Sequence, residues 1–144
     1  MIPDFYDGEF LPDGEHLATW EEVHARFGSP CEQRKTLSLK LKYYLDIARR
    51  CGFIRVYVFG SFISGRLEPP PGDIDLMWVY QPDLDIDALS KECRDLLNYD
   101  AMRRREQWDM FCCSDNTGVI NYLLGAFRIS KDNKSRGVIL IHLQ

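Results

Sequence analysis

Two spacings of apolar residues organise the chain. Short, nearly unbroken apolar runs occupy residues 54–59 (IRVYVF), 73–80 (DIDLMWVY), 108–113 (WDMFCC) and 138–143 (VILIHL). Runs of this length, rich in β-branched and aromatic residues, predict four strands. Between them the apolar residues recur every three to four positions. Leu37, Leu41, Tyr44, Leu45 and Ala48 form the buried stripe of a helix that runs to about Cys51 and stops at Gly52. Ile86, Leu89, Cys93 and Leu96 or Leu97 mark a helix over 86–97. Val119, Ile120, Leu123, Leu124 and Phe127 mark another over 119–129.

Capping residues say where helices begin. Thr19 and Glu22 read as a capping box for a short helix closed by Gly28. For the next helix Ser29 fits the cap, Pro30 the first helical position and Glu32 the reciprocal site. Such caps contribute about 1 kcal/mol each. Residues 1–18 carry Pro3, Gly8, Pro12 and Gly14 among Ile2, Phe5, Phe10 and Leu11, and predict an extended arm with apolar anchors. The 144 residues are expected to form a single α/β (α+β) domain. Its mixed sheet has about four strands, flanked by helices mainly on one face.

Composition narrows the setting. No apolar run approaches the roughly twenty residues needed to span a bilayer. The acidic opening MIPDFYDGEF, broken by proline and glycine, does not read as a signal peptide. Five cysteines without a CxxC pair predict free thiols in a reducing cytoplasm, with Cys112 and Cys113 facing opposite ways. A net charge of −4 argues against a broad electrostatic grip on nucleic acid. It leaves room for a local patch, for which the run Arg103-Arg104-Arg105 is the candidate.

The chemistry concentrates between residues 54 and 80. Side chains alternate on a strand, so Asp73 and Asp75 project from one side. Two carboxylates that close repel, and a divalent cation between them is the usual reason they coexist. A surface hairpin with two solvated aspartates would not continue into the apolar run from Leu76 to Tyr80. Gly60-Ser61 offers close backbone approach, a hydroxyl and, with a helix starting at Phe62, free N–H groups for an anion. Pro69, Pro70 and Pro71 stiffen the approach to Asp73. Asp109 is the only charge within 108–113 and shares a face with Gln107 and Phe111. Glu106 is the weaker third carboxylate, and Asp83, Asp85 and Asp87 suit a helix start.

The order VFGS, then FISGRLEPPPG, then DIDL resembles the signature of the DNA polymerase beta-like nucleotidyltransferases, their minimal forms above all. The motifs IPDF, LPDGEH and TWEE resemble the front of an uncharacterised family of small bacterial nucleotidyltransferase-like proteins. The resemblance implies that Asp73, Asp75 and Asp109 hold Mg²⁺, or Mn²⁺ in its place, and that Gly60, Ser61 and Arg66 hold the phosphates of an NTP. Two such ions about 3.5–4 Å apart would clamp the entering and leaving oxygens. Lys131, Lys134 and Arg136 are further candidates to steady the leaving group. Relatives of this kind belong to toxin–antitoxin and antiphage systems, so the implied acceptor is a tyrosine of a partner toxin or a tRNA or other RNA end. Small-molecule acceptors rank third. Acceptor recognition falls to this domain, an oligomer or a partner. The alternative is a non-catalytic nucleotide-binding or partner-binding module.

Overall fold

A computed structural model describes residues 1–128 and 136–144. Five strands form one mixed sheet: β1 (Glu15–Leu17), β2 (Arg55–Phe59), β3 (Asp75–Tyr80), β4 (Met110–Ser114) and β5 (Val138–His142), in the spatial order β1-β5-β2-β3-β4. The strand beyond the four expected is β1. It lies within the arm and pairs in parallel with β5, Glu15 against Val138. The rest of the arm is anchored as expected: Leu11 and Ala18 are buried, and Ile2 and Phe5 pack against the core.

Helices cover both faces, where cover mainly on one was expected. On one face lie α1 (Trp20–Val23), α2 (Glu32–Arg50), α3 (Lys91–Leu96) and α4 (Tyr99–Glu106). Their apolar stripes meet Val56, Val58, Leu76, Trp78, Ile139 and Ile141. The alternate residues Tyr57, Phe59, Met77, Val79 and Val138 face α5 (Thr117–Arg128), which contributes Ile120 and Leu124. Burial on both faces is why the central strands read as unbroken apolar runs. The crossover from β3 to its parallel neighbour β4 carries α3 and α4.

Local signals succeed where side chain and backbone agree. The Thr19–Glu22 capping box is present, and Gly52 ends α2 with a φ of 83°. Ser29 does not cap α2. A π turn (His24–Gly28) extends α1, leaving Ser29 at φ −93° and ψ −22°, whereas an N-cap needs extended backbone. Its hydroxyl donates instead to the Ala25 carbonyl at 2.6 Å, and the extended Cys31 precedes the helix with no side-chain cap. Gly28 is required for packing: a Cβ there would lie 2.7 Å from that of Ser38. The helix expected over 86–97 is a short turn (Ile86–Ala88) followed by α3, because Ser90 caps a new start by accepting from the Cys93 N–H. The helix α4 was not expected.

Cys51 and Cys93 form a disulfide that ties the end of α2 to α3. This corrects the expectation of five free thiols. Two cysteines 42 residues apart in sequence carry no local signal of pairing, and the fold brings their Cα atoms to 5.6 Å. Cys31, Cys112 and Cys113 are free. Cys112 and Cys113 pack toward opposite sheet faces, as alternation requires. Among the described residues no helix is long and apolar enough to cross a membrane.

Candidate functional site

Strand register assembles the site. In the antiparallel β2–β3 pair Phe59 faces Asp75, so the turn at Gly60-Ser61 sits over the start of β3. In the parallel β3–β4 pair Leu76 faces Met110, and the Leu76 N–H donates to the Asp109 carbonyl at 3.0 Å. Asp75 and Asp109 therefore enter neighbouring strands at the same end. Asp73 lies one alternation before Asp75, with Ile74 between them turned into the opposite core.

Any side chain at Gly60 would be strained and would displace the Asp75 carboxylate. The φ of 85° and ψ of −163° at this position belong to glycine, and a Cβ would stand 2.3 Å from Asp75 Oδ2. The backbone of β2 and the Asp75 carboxylate thus share a cradle that any side chain would fill. Ser61 opens a three-residue 3₁₀ turn (Ser61–Ile63), shorter than the helix expected from Phe62.

The three acids interact electrostatically. Burial first, then the charges of Asp73 and Asp109, push the Asp75 carboxyl from 3.8 up to about 7. Burial and the Asp109 charge raise that of Asp73. The Arg103 guanidinium opposes both shifts. Asp109 is otherwise engaged: the Tyr99 hydroxyl donates to its Oδ1 at 2.6 Å, and Arg103 Nε lies 3.8 Å from the same oxygen. Among the described residues, no three His, Cys, Asp or Glu side chains are gathered closely enough to hold a metal ion as they stand.

Two adjoining cavities share this wall. One of about 750 Å³ is lined by Gly60, Ser61, Arg66, Asp75, Asp109 and a group of phenylalanines. A smaller one of about 390 Å³ is lined by Ser61, Arg66, Asp73 and Arg103. Gly60, Ser61, Arg66, Asp73, Asp75 and Asp109 each line one or both. Arg66 is oriented by donating from Nε to the Pro69 carbonyl at 2.8 Å. Arg136 lines the larger cavity, its guanidinium 3.7 Å from the Phe10 ring centroid and bonded to the Tyr6 hydroxyl. Lys131 and Lys134 lie outside the described residues.

The arginine run does not form one patch. Successive helical residues diverge by about 100°. Arg103 turns to the carboxylates, whereas Arg105 pairs with Asp95 at 2.9 Å. Glu106 is not a third site carboxylate. It faces α2, accepting from Lys40 at 2.9 Å and from the Tyr44 hydroxyl.

Two determinants have no signal in the motif. Arg34 is buried in α2 and donates to the carbonyls of Phe27, Phe62, Ser64 and Arg66, at 2.7–3.2 Å. It staples the loop after Gly60-Ser61 to the helix layer. A charged residue at a stripe position of α2 was the only clue. Gln107 ends α4 in the left-handed region at φ 62°, which turns the chain into Asp109 and β4. The Arg103 side chain bonds the Gln107 carbonyl and supports that conformation. Gly or Asn would have marked such a turn in the sequence; glutamine does not.

With this geometry in hand, the chain can be placed. A family profile matches residues 3–142, and the chain belongs to that family, DUF6932, described as a family of unknown function. No curated protein and no solved structure matches it.

Proposed function

We propose that the protein is a metal-dependent nucleotidyltransferase of the DNA polymerase beta-like kind, moving an NMP from an NTP to an acceptor hydroxyl. One observation carries the reading. Asp73, Asp75 and Asp109 gather at the entry to two adjacent strands, and the Asp75 carboxylate occupies the space where a side chain at Gly60 would stand. Burial, and after it the charges of Asp73 and Asp109, lift Asp75 to about 7, as in a carboxylate short of water and of positive charge.

The donor set fits Mg²⁺ or Mn²⁺. All three candidate ligands offer hard carboxylate oxygens, and a divalent ion would favour the ionised forms of Asp73 and Asp75 that burial and the neighbouring charges disfavour. Tyr99 and Arg103 both contact Asp109 Oδ1, so Oδ2 is the oxygen that would join them. When bound, the ions would neutralise developing charge on the transferred phosphoryl group and lower the pKa of the acceptor hydroxyl. The chain's own residues do the rest. Asp73 and Asp75 fix the site against β3, and Asp109 lies where the acceptor proton would leave. Gly60 admits the phosphates to the backbone, Ser61 donates a hydroxyl, and Arg66 and Arg103 supply charge to the departing pyrophosphate.

A protein hydroxyl is the favoured acceptor, such as a tyrosine of a partner toxin. The divergence of Arg103 and Arg105 removes the contiguous basic patch that an RNA end would need. A second reading is a nucleotide-binding module without transfer, favoured by the engagement of Asp109 with Tyr99 and Arg103. Incubation with each α-labelled NTP, Mg²⁺ or Mn²⁺ and host lysate decides between them. The expected result is label on a protein band, reduced about 100-fold or more by Asp73→Asn, Asp75→Asn or Asp109→Asn. Label on tRNA would move the acceptor to RNA. Nucleotide binding with no labelled product would favour the module.

A further inference from the structure

The larger cavity has a second half that the carboxylate chemistry does not use. Alternation along β4 puts Phe111 on the same face as Asp109, two residues further into the strand, about 7 Å along it. Phe59, opposite Asp75 in register, stands beside Gly60. The Phe127 ring from α5 stacks on Phe59 with centroids 4.5 Å apart and planes 5° apart. It also stacks on Phe111 at 4.7 Å. Three near-parallel rings thus form a shelf at one end of a cavity whose other end holds Ser61, Arg66, Asp75 and Asp109. Phe111 and Phe127 are only partly buried and line this cavity, and the Tyr99 ring flanks Phe111 at 5.3 Å.

A cavity of about 750 Å³ is the size that takes a small organic ligand. Its two ends ask for different chemistry in one molecule: a polyanion met by a hydroxyl, arginine and carboxylate-held cation, and a flat apolar ring met by aromatic faces. We propose that Phe111, backed by Phe127 and Phe59, is the platform on which the base of a nucleoside triphosphate stacks, with the phosphates reaching Ser61 and Arg66. This rests on the nucleotidyl-transfer reading for where the phosphates sit. Stacking on a phenylalanine face needs no particular base edge and adds affinity that the phosphates alone cannot give.

The test separates the two halves of the ligand. The full chain is titrated calorimetrically with Mg-ATP and with Mg-tripolyphosphate, and pyrophosphate release is followed in parallel. Expected is tighter binding of ATP than of tripolyphosphate. Phe111→Leu keeps apolar volume but loses the ring; it weakens ATP about tenfold and tripolyphosphate less than about twofold. Phe111→Tyr, which restores a ring, keeps wild-type affinity for ATP. Equal affinity of the wild type for both ligands would overturn the shelf, as would equal weakening of both by Phe111→Leu. So would transfer by a wild type whose ATP affinity ignores Phe111, leaving the transfer reading intact. Failure to bind either ligand sinks both, whereas ATP binding that depends on Phe111 without pyrophosphate release in the presence of host lysate keeps the shelf and removes the transfer reading.

Discussion

Replacing Asp75 by asparagine tests the electrostatics on which the site reading stands. The Asp75 carboxyl lies at about 7 in the folded chain against an ordinary 3.8 when unfolded, raised first by burial and then by Asp73 and Asp109. Between these pH values the folded state holds a proton that the unfolded state has released. Stability therefore falls as pH climbs from about 4 to about 7, and the loss is complete above that. At a little over 1 kcal/mol per pH unit the full displacement is about 4 kcal/mol. Asp75 is only partly buried, so solvent screening reduces this to about 1–3 kcal/mol. An asparagine at this position carries no charge at any pH, keeps the shape and leaves Gly60 undisturbed. The Asp75→Asn variant should be about 1–3 kcal/mol more stable than the parent at pH 8 in metal-free urea melts, and nearly equal to it at about pH 4. Millimolar Mg²⁺ should raise the parent's midpoint at pH 8 and leave that of the variant almost unmoved. A variant no more stable at pH 8, or a difference independent of pH, would show that Asp75 bears no unrelieved charge, and the cation argument would fall with it.

Two further outcomes concern the frame around the site. Arg34→Met leaves up to four buried carbonyls without their donor and should cost about 3–5 kcal/mol in denaturant melts. Arg34→Lys, lacking the planar fork, should recover only part of it. The Cys51–Cys93 bond predicts three reactive thiols in the denatured, unreduced protein and five after reduction, with a stability loss of about 2–4 kcal/mol on reduction. Five thiols before reduction would remove the bond from the account.

The central strands were legible because their burial on both faces leaves a composition that little else produces. The stripe of α2 was legible because Leu37, Leu41, Tyr44, Leu45 and Ala48 all turn inward. The features with no legible signal depend on competition that a single window does not reveal. Ser29 has the right side chain for a cap and the wrong backbone, since the π turn ahead of it keeps the chain helical. In α4, Tyr99 to Glu106, a charge-rich surface with Met102 as its one buried residue left no apolar period to read. The short β1 hides within an arm of proline and glycine because three residues of an edge strand need no pattern of their own.

At the site the same division has a physical cause. Strand alternation put Asp73 and Asp75 on one side directly from their spacing, whereas Asp109 was matched to them only through the resemblance. The groups that hold them apart or together were not legible, because their partners are remote in sequence. Arg34 acts through Phe62, Ser64 and Arg66, about thirty residues on, and fixes the loop that carries Ser61. Arg103 and Tyr99 reach Asp109 only because Gln107 adopts a left-handed conformation that its type rarely takes. That turn couples the charge balance of the carboxylates to the end of α4. Tyr99 and Arg103 both hold Asp109 Oδ1, so the orientation of that carboxylate is set from α4. On the proposed nucleotidyl-transfer reading, the reach of Asp109 toward a cation is therefore governed by α4 and not by the motif.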